Sequence, residues 1–179
     1  MPGSVGLAAV AALAVLVPAS DAAAVGSSLP ETLAGVYKSQ FKNALVDGET
    51  YRSEDILEIA PTAPDAAYVR AHLEFYNGHL CAIFGIAHVE RNELVFRDSA
   101  LANRATDGRC VLHVTRRADK ITLSDEGGSC QDYCGAGGSL SDDSFPAASR
   151  RPIRYLARLK SSWQFKQALA QDAARKGVR

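Results

Sequence analysis

The sequence predicts a mainly β protein, an antiparallel meander curled into a small barrel and followed by a C-terminal helical segment. Three observations predict it. Between Leu33 and Asp125 the apolar residues alternate or come in short runs broken by turn residues, as strands require. No long amphipathic helix interrupts those runs, which argues against a doubly wound α/β sheet. After Pro146 the apolar residues space out helically among many Lys and Arg.

The elements follow in order. Residues 1–24, "MPGSVGLAAVAALAVLVPASDAAA", hold an apolar run from Gly6 to Val17 that suits the core of a secretory signal peptide and is short for a membrane span. Pro18 breaks the run, and Ser20, Ala22 and Ala24 offer cleavage after Ala22 or Ala24. The segment has no Lys or Arg, so only the amino terminus supplies positive charge there. The expectation is an exported protein, periplasmic or secreted, with about 155 residues left for one domain. No later segment is apolar enough to span a membrane, so an integral membrane protein is not expected.

Seven strands are expected in residues 25–147: "LAGVYKSQF" (33–41), "DILEIA" (55–60), "AAYVRAHLEFY" (66–76), "HLCAIFGIAHV" (79–89), "ELVFRD" (93–98), "CVLHVTR" (110–116) and "KITLSD" (120–125). Asn77-Gly78 is the favoured pair for a two-residue type I′ turn, since both positions tolerate positive φ. That turn sets Tyr76 opposite His79, Phe75 opposite Leu80, Leu73 opposite Ala82 and Ala71 opposite Phe84. Val69, Ala71, Leu73, Phe75, Leu80, Ala82, Phe84 and Ile86 then form the core face. Arg70, His72, Glu74, Tyr76, His79 and Cys81 share the other. In residues 148–179, Pro152 suits the first turn of a helix, and Ile153, Leu156 and Leu159 give it an apolar side. Ser161 with Gln164 resembles a capping box, and Phe165, Leu169 and Ala173 form one stripe. One bent helix or two short ones should pack on the barrel.

The charge is unevenly placed. Residues 25–147 carry 11 Lys+Arg and 18 Asp+Glu, a balance of −7, and residues 148–179 carry 9 Lys+Arg and one acid, Asp172, a balance of +8. The basic segment is expected to be a solvated face or to fold back on its own acidic domain. The sharper alternatives are a cationic partner for the domain, or an anionic surface such as lipid headgroups or cell-wall polymer for the segment.

Four cysteines, Cys81, Cys110, Cys130 and Cys134, fall in the exported part. In an oxidising compartment they imply two disulfides, for which three pairings exist. The sequence-local choice is Cys130–Cys134, which leaves Cys81–Cys110 to join two strands. A thioredoxin-type centre would need Cys-x-x-Cys near a βαβ unit, and neither is present. A zinc site from these thiols with His79 or His113 is disfavoured by export. The cysteines read as staples, fixing "CQDYC" so that "GAGG" presents its backbone in a set direction.

The series "NGHLCAIFGIAHVERNELVFRD", "CVLHV", "ITLSDEGGSC" and "YCGAGGSL" resembles small exported bacterial proteins of calycin-like, lysozyme-inhibitor type. Those pair an Asn-Gly-His-x-Cys strand with a later Cys and close with a Cys-x-x-x-Cys-Gly turn. Gly35-Val36-Tyr37 is similar to the Gly-x-aromatic opening of lipocalin-like barrels. The resemblance covers about residues 33–160. Where those relatives carry "CGARG", Gly137 stands in place of the arginine. The resemblance implies a barrel and a binding role, and it transfers Cys81, Cys110, Cys130, Cys134 and Gly135 as structure.

No enzyme signature accompanies it. There is no G-x-S-x-G, and Ser139, Ser141 and Ser144 have no histidine that the sequence pairs with them. His72, His79, His88 and His113 form no H-E-x-x-H or H-x-H pattern, and Asp142-Asp143 lacks the alternation of a calcium loop. No catalytic residue, metal or cofactor is expected. Nucleic-acid binding is not expected either, because the basic residues have few aromatics beside them. The expected function is a non-enzymatic binding module, inhibitor-like, meeting a cationic secreted protein such as a lysozyme, or a cell-envelope component. Its contact would be Asp132, Tyr133, Gly135, Gly137, Ser139, Asp142 and Asp143. The alternative is a lipocalin-like carrier of a small apolar ligand, for which Ala82, Gly85 and Ala87 leave room.

Overall fold

The computed structural model describes residues 3, 27–98, 110–141 and 143–177. Apart from Gly3, the leader expected over 1–24 lies outside them. Among the described residues eight strands form one antiparallel sheet in chain order: β1 (Gly35–Ala44), β2 (Thr50–Ala63), β3 (Ala66–Glu74), β4 (Leu80–Glu90), β5 (Glu93–Arg97), β6 (Val111–Arg117), β7 (Lys120–Asp125) and β8 (Ser144–Pro146). The seven expected strands are all present. The sheet curls into a nearly closed barrel. Val36 and Arg151 exchange two backbone hydrogen bonds of 2.8 Å, and Lys38 N–H donates to Ser149 Oγ at 3.1 Å, so the chain just after β8 lies along β1.

A short helix, α1 (Leu29–Leu33), precedes the barrel and was not expected. Ser28 and Glu31 cap it reciprocally, which satisfies two of its free N–H groups. It places Leu33 in the barrel core, where the Tyr37 hydroxyl donates to the Leu33 carbonyl at 2.8 Å. Gly35 is required by close approach. A Cβ there would stand 2.9 Å from Arg150 Cγ and 3.0 Å from the Arg151 carbonyl. Inside the barrel, Leu57, Ile59, Leu73, Leu94, Leu112, Leu123 and Phe145 are fully buried. Each such side chain contributes about 1.5–3 kcal/mol relative to leaving it in water.

The β3–β4 register differs from the expected one by a single residue. Glu74 pairs with Leu80, Leu73 with Cys81 and Ala71 with Ile83. Asn77 and Gly78 do take positive φ, 58° and 71°. They sit in a five-residue connection rather than a two-residue turn, closed by Phe75 N–H on the His79 carbonyl at 2.8 Å. One residue of slip exchanges the faces of β4. Cys81, Ile83 and Ala87 face the barrel core, and Leu80, Ala82, Phe84 and Ile86 face outward. The pattern misleads because β4 is apolar on both faces.

The outer face is covered by the C-terminal segment, which forms α2 (Leu156–Ser161) and α3 (Trp163–Gly177). Tyr68 and Ile86 pack with Leu159, Phe165 and Ala168 in a second apolar cluster, with Tyr68 and Phe165 rings 4.9 Å apart. Helix formation starts at Leu156, four residues beyond Pro152, because Arg151 is still engaged with β1. The cap of α3 is Ser162, whose hydroxyl accepts from Phe165 N–H at 3.3 Å, and not Ser161, which donates to the Arg158 carbonyl. The docked stripe is Phe165, Ala168 and Asp172; Leu169 and Ala173 are exposed. Asp172 turns inward because its carboxylate meets His88 Nε2 of β4 at 2.7 Å.

Candidate functional site

The β7–β8 connection, residues 126–143, is the longest described irregular segment, and the sequence around it explains how it is held. Strand β7 ends on Asp125, a buried carboxylate. It accepts the Cys130 N–H at 2.9 Å and the hydroxyl of Ser141, so it clasps the loop near both of its ends. Ser129 Oγ accepts from Val111 N–H at 3.0 Å, which fixes the loop to the start of β6. Leu140 is buried in the barrel core.

Both disulfides end in this loop. Cys110 pairs with Cys130 and Cys81 with Cys134, closing 20 and 53 residues. The sequence-local choice, Cys130–Cys134 with Cys81–Cys110, is therefore corrected. The cause is the register of β4, which turns Cys81 into the core beneath the loop, and the short helical turn Gln131–Tyr133, which sends Cys130 and Cys134 toward different strands. No cysteine is left free. The reading of the cysteines as staples stands; they bind the loop to β4 and β6 instead of tightening it upon itself.

After Cys134 the chain pairs with the start of β4 through Gly135 N–H on the Leu80 carbonyl at 2.8 Å, then reverses, with Gly138 N–H on the Gly135 carbonyl at 3.1 Å. Gly137 takes φ 82° in that reversal, a left-handed conformation that suits glycine. Gly138 is needed for a different reason. A Cβ at that position would stand 2.8 Å from Cys81 Sγ.

The contact residues expected from the sequence separate into groups. Asp132, Gly135, Gly137 and Ser139 are exposed, with Gly137 beside the His79 ring and Ser139 Oγ accepting from Ser141 N–H. Tyr133 is half-buried and turned inward, its hydroxyl donating to Asp98 and its ring edge-on to Phe96. Asp143 is half-buried and its carbonyl accepts from Leu123 N–H at 2.7 Å. Asp142 lies outside the described residues.

The sequence reading missed Asp125, Gly138 and Leu140. Leu140 did carry a signal, as a lone large apolar residue in "GGSLSDD"; nothing local marks the other two. It also missed the apolar surface at the same end of the barrel. Val46, Tyr76 and Leu80 are exposed there, Tyr76 at 55 %. The Tyr76 hydroxyl donates to the Leu45 carbonyl at 3.2 Å, tying the β3–β4 connection to the β1–β2 one.

Several titratable groups elsewhere are engaged in structure. Glu58, wholly buried on the outer face of β2, accepts from Arg70 Nε and from the Tyr155 hydroxyl. Burial, with the Glu58 carboxylate beside it, pushes the Tyr155 phenol up to about 12. His113 lies between Glu93 at 2.8 Å and Glu126 at 3.0 Å. Among the described residues no three His, Cys, Asp or Glu side chains are grouped to hold a metal ion. The space beside Gly85 is taken by the Phe96 ring, and Ala82 faces outward from the barrel.

No family model, curated protein or solved structure matches the chain. What the geometry defines is a nearly closed meander barrel whose β7–β8 loop is held by two disulfides. Among the described residues no helix is long and apolar enough to cross a membrane.

Proposed function

We propose that this is an exported, non-enzymatic binding protein of inhibitor type, which meets a cationic protein of the lysozyme class through the 126–143 loop. The observation that supports this reading most is the convergence of both disulfides and the Asp125 clasp on a single loop. That loop carries Glu126, Asp132, Asp142 and Asp143 and no Lys or Arg. A tethered loop has little conformational freedom left to lose on binding, and its charge steers encounter with a basic partner. The exposed Val46, Tyr76 and Leu80 supply apolar area beside the acids. The resemblance to lysozyme-inhibitor-type sequences supports the partner class. With Gly137 at the arginine position, the contact rests on the acids and on Tyr76 rather than on an inserted cation. Complete pairing of the cysteines supports an oxidising location, periplasmic or extracellular.

The test is titration of hen-type lysozyme into the protein at low and high salt. The expected result is a one-to-one complex that weakens steeply with salt, because charge steering fades within about 10 Å at 0.1 M. Asp132→Asn should slow association more than it speeds dissociation. A complex indifferent to salt and to Asp132→Asn, or no complex at low salt, would overturn the reading.

A further inference from the structure

We propose that the solvent side of α2 and α3 is a docking surface for an anionic lipid bilayer, separate from the loop and independent of the lysozyme reading. The argument starts from how the charge of residues 148–179 is distributed. Asp172, the only acid there, is turned inward, its side chain 11 % exposed, and is taken up by His88, Arg175 at 3.1 Å and Lys176 at 2.8 Å. Arg150 and Arg151 are spent on the barrel seam, donating to backbone carbonyls of Ala34 and Ala148. Among the described residues of the segment four exposed cations stand outside those pairings, Arg154, Arg158, Lys160 and Lys166, Arg158 lying over the Tyr155 ring at 5.4 Å. No described acid of the segment stands among them.

The second observation is apolar. Trp163 is 63 % exposed at the start of α3, and Leu156 and Leu169 are exposed with it. The inner side of this layer is already filled by Leu159, Phe165 and Ala168, so these three are not unfinished core. Trp163 also leans on Phe84, with ring centroids 5.5 Å apart and planes near perpendicular, which holds the indole at the surface. Cations interleaved with Trp and Leu on a helical surface match the interface of an anionic membrane. Headgroups meet the Lys and Arg, and the apolar side chains enter the acyl boundary. A soluble anionic polymer would use the cations and leave the indole in water. The loop meets β4 at Leu80, whereas this layer packs on Phe84 and Ile86 farther along the strand, so the two surfaces use different residues.

The chain's single tryptophan, Trp163, is its own probe. The full chain is mixed with vesicles of phosphatidylglycerol and phosphatidylcholine, or of phosphatidylcholine alone, and partitioning is read by co-sedimentation and by indole emission. The expected result is binding with a blue shift on the anionic vesicles only, reversed by salt. Replacing Arg154, Arg158, Lys160 and Lys166 by Gln should weaken partitioning by about fivefold for each charge removed. Trp163→Ala should weaken sedimentation at unchanged charge. The single change Lys160→Gln keeps the test informative if the fourfold variant does not fold. Equal binding to both vesicle types would overturn the proposal, as would full binding by the charge-neutralised chain, which would assign it to the apolar leader. So would capture of polyphosphate or heparin with no emission shift on vesicles.

Discussion

The ring of Phe96 lies where a side chain at position 85 would stand. A Cβ on Gly85 would come within 2.0 Å of Phe96 Cε2, inside the barrel wall between β4 and β5. The contact is a packing constraint, not a conformational one. Gly85→Ala should therefore destabilise the fold by about 2–3 kcal/mol, the cost of forcing an aromatic ring from a filled core. Urea unfolding measures this. Repeated on a Phe96→Ala background the same change should cost much less, because the two sites are coupled. Equal losses in both backgrounds would place the constraint elsewhere.

The two disulfides should contribute unequally. Chain entropy assigns about 4 kcal/mol to the Cys81–Cys134 link and about 3 kcal/mol to Cys110–Cys130, from loops of 53 and 20 residues. Paired Cys→Ser replacements, compared by denaturation midpoint, should rank in that order. Peptide mapping of the non-reduced protein checks the pairing itself, and a Cys130–Cys134 peptide would contradict it.

Burial alone would lower the pKa of His113, but its hydrogen bonds to Glu126 and Glu93 outweigh that and raise it above its ordinary value. The sign follows from linkage. With the folded value above 6.5, the stabilisation is complete below the unfolded value and is lost as pH rises through the folded one. Wild type should lose stability relative to His113→Gln as pH is raised from 5 to 8, the range in which imidazole titrates. Melting curves for the two proteins test this, and parallel curves across the range would refute it.

Tyr68 is fully buried, and its hydroxyl has no hydrogen-bond partner among the described residues. Burial pushes that phenol up to about 12. A buried donor without an acceptor costs about 1–3 kcal/mol. Tyr68→Phe keeps the ring against Phe165 and removes the orphan. The melting temperature should hold or rise, and a clear fall would reveal a partner for the hydroxyl.

The seven longer strands were legible because their polar and apolar residues alternate, or their short apolar runs end in Gly, Asn or Asp. Strand β8 was not, since three residues ending in Pro146 leave no period to read. The β3–β4 register failed for a physical reason. With Leu80, Ala82, Phe84 and Ile86 on one face and Cys81 and Ile83 on the other, burial favours neither face until α3 is known to cover one. Disulfide pairing followed that register. The loop was recognised from its cysteines and glycines. Its anchors, Asp125 and Gly138, depend on what folding brings beside them, which no local pattern records.

The seam between β1 and residues 149–151 has a consequence for synthesis. Every strand from β1 to β8 pairs with its neighbour in sequence, so the meander can zip up as it emerges. Closure of the barrel must wait, because Lys38 and Ser149 are 111 residues apart. Until Arg151 arrives, β1 offers a row of unpaired backbone groups, a template on which a second chain can add a strand. A truncation before residue 149 would fix that waiting state permanently, and such a chain would be expected to assemble edge to edge.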